Sequence, residues 1–218
     1  MRLAIFDLDN TLLHGDSDHA WGEFLCNEGL VDRQQYRNAN DHFYEQYKQG
    51  TLDINEFLTF VLQPLKTFPR SQLNALHQKF MQTVIEPMML PAAHDLLKKH
   101  REAGDYLLII TATNSFITAP IAEKLGVDAM LATDPEEIDG EYTGKAAGVP
   151  CFREGKVTRL HQWLAETGHS LKDSYFYSDS CNDLPLLEVV DYPVAVNPDA
   201  ILLETATSRG WPVLDLRV

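Results

Sequence analysis

Two aspartates, two residues apart, close the first apolar run of the chain, Ile5-Phe6-Asp7-Leu8-Asp9-Asn10-Thr11-Leu12. Alternate side chains of an extended strand leave the same face, so Asp7 and Asp9 point together, about 7 Å apart along the chain. Carboxylates that close repel unless a cation lies between them, and clustered hard oxygens are the ligand set that Mg²⁺ selects. Taken alone, the pair reads first as a turn or a helix cap at Asp9-Asn10. Three later segments carry further polar groups of the same kind. Leu107-Leu108-Ile109-Ile110 ends in Thr111, Lys156 stands in Glu154-Gly155-Lys156-Val157, and Tyr175-Phe176-Tyr177 runs into Ser178-Asp179-Ser180-Cys181-Asn182-Asp183. Singly, Thr111 reads as a helix cap and Lys156 as a solvated surface lysine.

Each of these groups follows an apolar strand or opens a helix. In an open α/β sheet the carboxyl ends of the strands form the binding crevice, which would bring all four segments together. From Pro91 onward the pattern is regular: helix 91–103, strand 106–111, helix 116–125, a short strand near 129–132, a turn-rich hairpin region at Asp139-Gly140, helix 156–167, strand 174–178, helix 183–190, strand 192–196, helix 199–208 and an edge strand at 211–214. Strands alternating with helices predict a mostly parallel sheet covered on both faces, a three-layer Rossmann-like α/β core. Between the first strand and Pro91 the rhythm changes. Trp21, Phe24 and Leu25 recur at helical spacing before Gly29, and Phe43, Tyr44 and Tyr47 before Gly50. Two more amphipathic stretches end near Pro64 and Pro87. Residues 16–85 therefore read as an inserted helical cap domain, and residues 1–15 and 86–218 as the core.

The chain has 218 residues, enough for one substantial core and a small second unit. Its 32 acidic and 18 basic residues leave a net charge of −14, which opposes nucleic acid and anionic membrane. An anionic substrate would need a local positive centre, and a cation held by the acidic cluster would supply it. The first apolar run is cut at Asp7 and no stretch is long enough to span a bilayer, so a cytoplasmic protein is expected. Cys26, Cys151 and Cys181 match neither a metal-ligand spacing nor a disulfide framework, which predicts reduced thiols. Oligomeric state is not readable.

In this order and spacing, the four segments closely resemble the four motifs of the haloacid dehalogenase superfamily, and the helical insertion resembles that of its phosphoserine-phosphatase-like branch. The resemblance implies a Mg²⁺-dependent phosphomonoesterase acting on a small phosphate ester. Asp7 would be the nucleophile, forming an aspartyl-phosphate, and Asp9 would act as acid and then as base. Mg²⁺ would be held by Asp7, the backbone carbonyl of Asp9 and Asp179, with Asn182 and Asp183 supporting it and fixing Lys156. Thr111, the backbone N–H of Ala112 and Lys156 would bind the phosphate, aided by the N-terminus of the helix that follows. Receiver domains of signalling proteins share the acidic cluster, threonine and lysine, but lack both the insertion and an acid two residues beyond the nucleophile.

Specificity would come from the cap. Asp16 matches in position the acidic residue with which phosphoserine phosphatases hold the substrate ammonium. Those enzymes also carry an arginine for the serine carboxylate, at a position that falls near Thr59 here. No arginine lies between Asn38 and Pro69. A substrate with an amine and a phosphate but no carboxylate fits this departure. The run Asp16-Ser17-Asp18-His19-Ala20-Trp21-Gly22-Glu23-Phe24 resembles the lead-in to the cap of the histidinol-phosphatases on this scaffold. Histidinol phosphate is then the expected substrate, with Asp16, His19, Trp21, Glu23 and Phe24 lining an aromatic and acidic pocket for amine and imidazole. The other reading of Trp21 and Phe24 is ordinary helix core, with His19 and Glu23 solvated.

Overall fold

A computed structural model describes residues 1–217. At its centre lies strand β1, Leu3–Phe6, buried along its whole length. Its side chains divide by parity. Leu3 and Ile5 enter one apolar cluster, and Ala4 and Phe6 enter another on the opposite face of the sheet. A strand buried on both faces reads as a continuous apolar run, and this one does.

Six further strands follow: β2 Tyr106–Asn114, β3 Ala129–Ile138, β4 Glu141–Ala147, β5 Tyr175–Ser178, β6 Tyr192–Val196 and β7 Val213–Leu214. They form one sheet in the order β4-β3-β2-β1-β5-β6-β7, parallel throughout except for the β3–β4 pair. The strand expected near 129–132 runs on to Ile138 and folds back as β4. Its turn, Asp139-Gly140, has both residues at positive φ, 52° and 83°, the pairing that a tight hairpin requires. The hairpin lies where the sequence placed it, with arms longer than the short strand near 129–132 indicated.

Between β1 and the regular part of the fold come α1 Ser17–Asn27, α2 Arg33–Lys48, α3 Ile54–Val61, α4 Gln63–Thr67, α5 Arg70–Phe80, a π-helical turn Met81–Ile85, and α6 Glu86–Met88. The first three begin at aspartate caps: Asp16, Asp32 and Asp53 accept backbone N–H groups of the first turn. Helix α3 ends at Val61, near Pro64 as expected, and Pro64 then stands in the first turn of α4, where its missing N–H is tolerated. Leu58, Val61, Leu62, Leu65 and Leu73 form a small separate apolar cluster of these helices, closed by Tyr142 and Ala146 of β4. Gly22 permits the α1–α2 contact, because a Cβ there would lie 2.6 Å from the Asn40 amide.

The remaining helices cover the sheet. These are α7 Pro91–Glu102, α8 Ser115–Leu125, α9 Glu154–Thr167, α10 Leu184–Leu187 and α11 Ala200–Arg209. Leu96 and Leu97 of α7 and Ile117 and Ile121 of α8 pack on the Phe6 face, with Trp21 and Leu25 of α1. Leu160 of α9, Leu186 of α10 and Leu202 of α11 pack on the Ile5 face. The result is the three-layer α/β architecture that the pattern predicts. No helix among the described residues is long and apolar enough to cross a membrane.

Candidate active site

Strand β1 delivers Asp7 to the carboxyl edge of the sheet. The Asp7 N–H donates to Tyr177 O at 2.9 Å, carrying the ladder one residue past the strand. The chain then turns: Asn10 sits at φ 55°, a left-handed conformation that asparagine tolerates, and its N–H donates to Gly15 O at 2.8 Å. The turn leaves both oxygens of Asp9 occupied, one by the Ser17 N–H at 2.6 Å and one by the Thr113 hydroxyl at 2.8 Å. The neighbouring strands bring Thr111 at β2 and Asp179 just past β5 to the same edge.

Lys156, only 1% exposed, reaches this edge from the first turn of α9. Its ammonium donates at 2.8 Å to Asp7 and at 2.8 Å to Asp183, and Ser178 Oγ donates to Asp183 at 2.7 Å. The preceding residue must be glycine, since a Cβ on Gly155 would lie 2.0 Å from Pro150 O. Thr11 Oγ1 lies 3.3 Å from a carboxylate oxygen of Asp7 and 3.3 Å from one of Asp179, and accepts the Asp179 N–H at 3.1 Å.

The electrostatics are lopsided. Burial pushes Asp7 up to about 7 even though Lys156 pulls it down, and burial pushes Asp9 up to about 7, with the charge of Asp16 adding to it. Asp179 is raised well above the carboxylate range by burial and by the charge of Asp7. Burial would lower Lys156, but Asp183 and Asp7 raise it further, so it stays charged. One cation faces several buried carboxylates, which is the setting in which a bound divalent metal relieves repulsion. The donors available are all hard oxygens, the preference of Mg²⁺. Among the described residues no three His, Cys, Asp or Glu side chains converge as a ligand group. The side chains of Asp7 and Asp179, joined by the Asp9 backbone carbonyl as the resemblance implies, would hold such an ion.

Several predicted residues stand elsewhere than their motifs suggest. Asn182 donates to Tyr47 O of α2 at 3.0 Å and to Ser180 Oγ at 3.1 Å, and its amide oxygen accepts from Arg153 at 3.1 Å, so its nitrogen ties α2 to the core and neither end of the amide attends the carboxylates. Helix α8 begins at Ser115, capped by Asn114, which accepts the Ile117 N–H, so the helix N-terminus lies beyond Thr111 and Ala112. Thr111 Oγ1 accepts the Thr113 N–H at 3.2 Å. Cys26, Cys151 and Cys181 are free, and burial raises the Cys181 thiol to about 11, which leaves it little thiolate for nucleophilic work.

A cavity opens above Asp7 and Asp9. The core contributes Thr111, Ala112, Thr113 and Phe152, and the helical segment contributes Asp16, Asp18, His19, Asn40, Phe43, Tyr44, Tyr47, Leu52, Ile54 and Phe57. Neither arginine nor lysine is among these lining residues. Thr59 is exposed with its hydroxyl on Asn55 O, and α3 turns Ile54 and Phe57 to the cavity instead. Asp16 caps α1 through the His19 N–H, and His19 pairs with Asp41 at 2.8 Å while its ring lies against Tyr44. Trp21 and Glu23 are not at the cavity. Trp21 is 1% exposed among Phe24, His77, Phe80 and Phe116, and Glu23 forms an ion pair with Arg37 on the far side of α1. The reading of Trp21, Glu23 and Phe24 as pocket residues is thereby corrected: helical spacing puts them on the faces of α1 that meet the core and α2.

Thr11, Thr113, Asp18 and the aromatic wall of Phe43, Tyr44, Phe57 and Phe152 escaped the sequence reading. Only Thr11 carried a local signal, four residues after Asp7. Comparison with known proteins agrees with the geometry. The sequence model for haloacid dehalogenase-like hydrolases matches residues 4–188. The chain belongs to that family. It is 48% identical over 220 residues to a histidinol-phosphatase of Neisseria meningitidis serogroup C, covering 99% of each. It is 32% identical over 223 residues to a phosphoserine phosphatase of Mycobacterium tuberculosis, covering 99% of this chain and 71% of the relative. A crystal structure of a protein of unknown function from Bordetella pertussis Tohama I superposes with a TM-score of 0.93 at 49% identity, over 99% of this chain and 98% of that one. The chain is thus an enzyme of the phosphatase class, and the receiver reading falls away.

Proposed function

We propose that the chain hydrolyses histidinol phosphate to histidinol and inorganic phosphate. The observation that carries the substrate is the lining of the cavity: acidic at Asp16 and Asp18, aromatic at Phe43, Tyr44, Tyr47, Phe57 and Phe152, and without arginine or lysine. An amine and an imidazole suit such walls, whereas a serine carboxylate would be buried beside acids without a partner. The full-length likeness to a histidinol-phosphatase supports the same choice. Likeness to a phosphoserine phosphatase keeps phosphoserine as the second reading, which the missing cation disfavours.

In the chemistry we propose, Asp7 attacks phosphorus, the bond from phosphorus to the leaving alkoxide breaks, and an aspartyl-phosphate forms. Lys156 holds one Asp7 oxygen at 2.8 Å and so fixes the carboxylate for attack. Asp9 gives its proton to the departing oxygen and then takes one from the water that cleaves the aspartyl-phosphate. An acid lifted to about 7 suits both transfers near neutral pH. The Ser17 N–H and Thr113 hydroxyl hold Asp9 in place for both. Thr111 and the Ala112 N–H are the proposed contacts to the phosphoryl oxygens. A Mg²⁺ ion on Asp7, Asp179 and the Asp9 carbonyl would neutralise charge on the phosphoryl group. Residues 16–85 would act as a cap over the cavity, shedding water when closed, in keeping with a cytoplasmic enzyme of small-molecule metabolism.

The test is phosphate release by two variants. Asp7→Asn should abolish turnover with its fold intact, and activity within tenfold of the parent would remove Asp7 from its role. Asp9→Asn should turn over slowly and accumulate a phosphoryl adduct of about 80 Da by mass spectrometry.

A further inference from the structure

Asp16 and Asp18 both face the cavity, but they differ in what they already do. One Asp16 oxygen accepts the His19 N–H at 2.8 Å as the cap of α1. Asp18 has no such duty. Its side chain is 6% exposed and lines the cavity, and its Oδ1 is buried without any hydrogen-bond partner. A buried carboxylate oxygen without a donor costs free energy of a kind that folded chains rarely leave unrelieved. Every other carboxylate at this end of the sheet has a donor: Asp7 and Asp183 share Lys156, Asp9 has Ser17 and Thr113, and Asp179 has Thr11. A donor carried by a molecule in the cavity that Asp18 lines would satisfy it.

We infer that Asp18 is the specificity-determining residue of the site, accepting an N–H from the cationic end of the leaving group, alkylammonium or imidazolium. This rests on the reading of the chain as a phosphatase for an amine-bearing ester and assigns the recognition to Asp18 instead of Asp16. Its surroundings fit a flat or alkyl cation, with Asn40 and Phe43 of α2 and Ile54 and Phe57 of α3 on the same cavity. Asp18 lies on α1, the first helix after the catalytic strand, whose start is tied to Asp9 through the Ser17 N–H.

The experiment compares the parent with Asp18→Asn and Asp16→Asn. The readouts are kcat/KM for histidinol phosphate, O-phosphoethanolamine and p-nitrophenyl phosphate, and calorimetric binding of histidinol. A charge-assisted hydrogen bond corresponds to at least a tenfold change. For Asp18→Asn, the ratio of kcat/KM for histidinol phosphate to that for p-nitrophenyl phosphate should fall at least tenfold, mainly through KM. Histidinol should bind at least tenfold more weakly, and thermal stability should hold or rise, because a buried unpaired carboxylate is gone. A parallel loss with O-phosphoethanolamine identifies the ammonium as the donor, and a loss confined to histidinol phosphate identifies the ring. Equal losses on all three esters, or a selective loss in Asp16→Asn with none in Asp18→Asn, would overturn the assignment. Histidinol binding needs no turnover, so it tests Asp18 even if the parent releases phosphate from none of these esters, the result that would instead sink the phosphatase substrate.

Discussion

Replacing Lys156 with methionine keeps a long side chain in the same space and removes one charge. In the native arrangement that charge lies 2.8 Å from Asp7 and 2.8 Å from Asp183, and all three side chains are at most 4% exposed. Removing one partner of a buried ion pair costs about 3–5 kcal/mol. Burial already holds Asp7 near 7 against the pull of Lys156, so without that ammonium the stranded carboxyl gives up its charge by taking up a proton, a step that becomes easier as pH falls. Lys156→Met should therefore lose about 3–5 kcal/mol at pH 7, or about 6–20 °C in Tm for a chain of this size. Part of that deficit should vanish at pH 5, where a stranded carboxyl takes up a proton more readily. The double variant Lys156→Met/Asp183→Asn should recover part of the loss at pH 7, since only one stranded carboxylate remains. Urea unfolding followed by circular dichroism at both pH values is the assay. A deficit under about 1 kcal/mol, or one equal at pH 5 and pH 7, would refute the reasoning, the second because lost packing does not titrate.

Trp21→Ala should cost about 3–5 kcal/mol of stability, as large-to-small changes in an aromatic core do, and should lower turnover of all phosphate esters together, with no selectivity for an imidazole. Selective loss on histidinol phosphate in a stable variant would return Trp21 to the pocket. Asp7 and Asp9 are raised from 3.8 to about 7, so in the metal-free protein their contribution to stability is fully present below about pH 3.8 and lost as pH rises through 7. A divalent cation that relieves this repulsion should raise Tm more at pH 8 than at pH 5, and a Mg²⁺ shift independent of pH would separate the metal from these carboxylates. His100 and Asp105 run the other way. Burial lowers His100, while hydrogen bonds from Arg2 and His100 outweigh burial and lower Asp105. Their contribution is present above the unfolded values, near 6.5 and 3.8, and is lost on acidification. His100→Asn should flatten the part of the pH-stability profile just below 6.5.

How far the site could be read beforehand depends on how local each signal was. Asp7 and Asp179 sit just past their strands and Thr111 just past the apolar run of β2, and parallel pairing brings such positions to one edge whatever the loops do. Lys156 was legible only as part of that set, since nothing in Glu154-Gly155-Lys156-Val157 announces a buried ammonium. Gly155, whose Cβ would strike Pro150 O, explains the tight approach after the fact. The α1 residues were harder. Apolar spacing marks Trp21 and Phe24 as one face of a helix but does not say whether that face meets a core or a cavity, and here it meets Phe80 and Phe116. Asn182 was assigned through its neighbour Asp183, yet a one-residue step turns its amide toward Arg153 and the Tyr47 carbonyl. The contact with Tyr47, like that of Thr113 with Asp9, joins segments more than 100 residues apart and leaves no trace in either stretch. The β3–β4 hairpin was half visible: Asp139-Gly140 announced the turn, but its arms were too weakly alternating to predict their length.

The most direct measurement of the central claim is the ratio of kcat/KM for histidinol phosphate to that for phosphoserine, with Mg²⁺ present. The cavity holds acids and aromatic rings but neither arginine nor lysine, so the serine carboxylate would be buried without a partner at a cost of several kcal/mol. With each 1.4 kcal/mol or so worth a factor of ten, histidinol phosphate should be preferred at least tenfold. Phosphoserine as the better substrate would mean that a cation from outside the lining residues reaches its carboxylate, and would contradict the account.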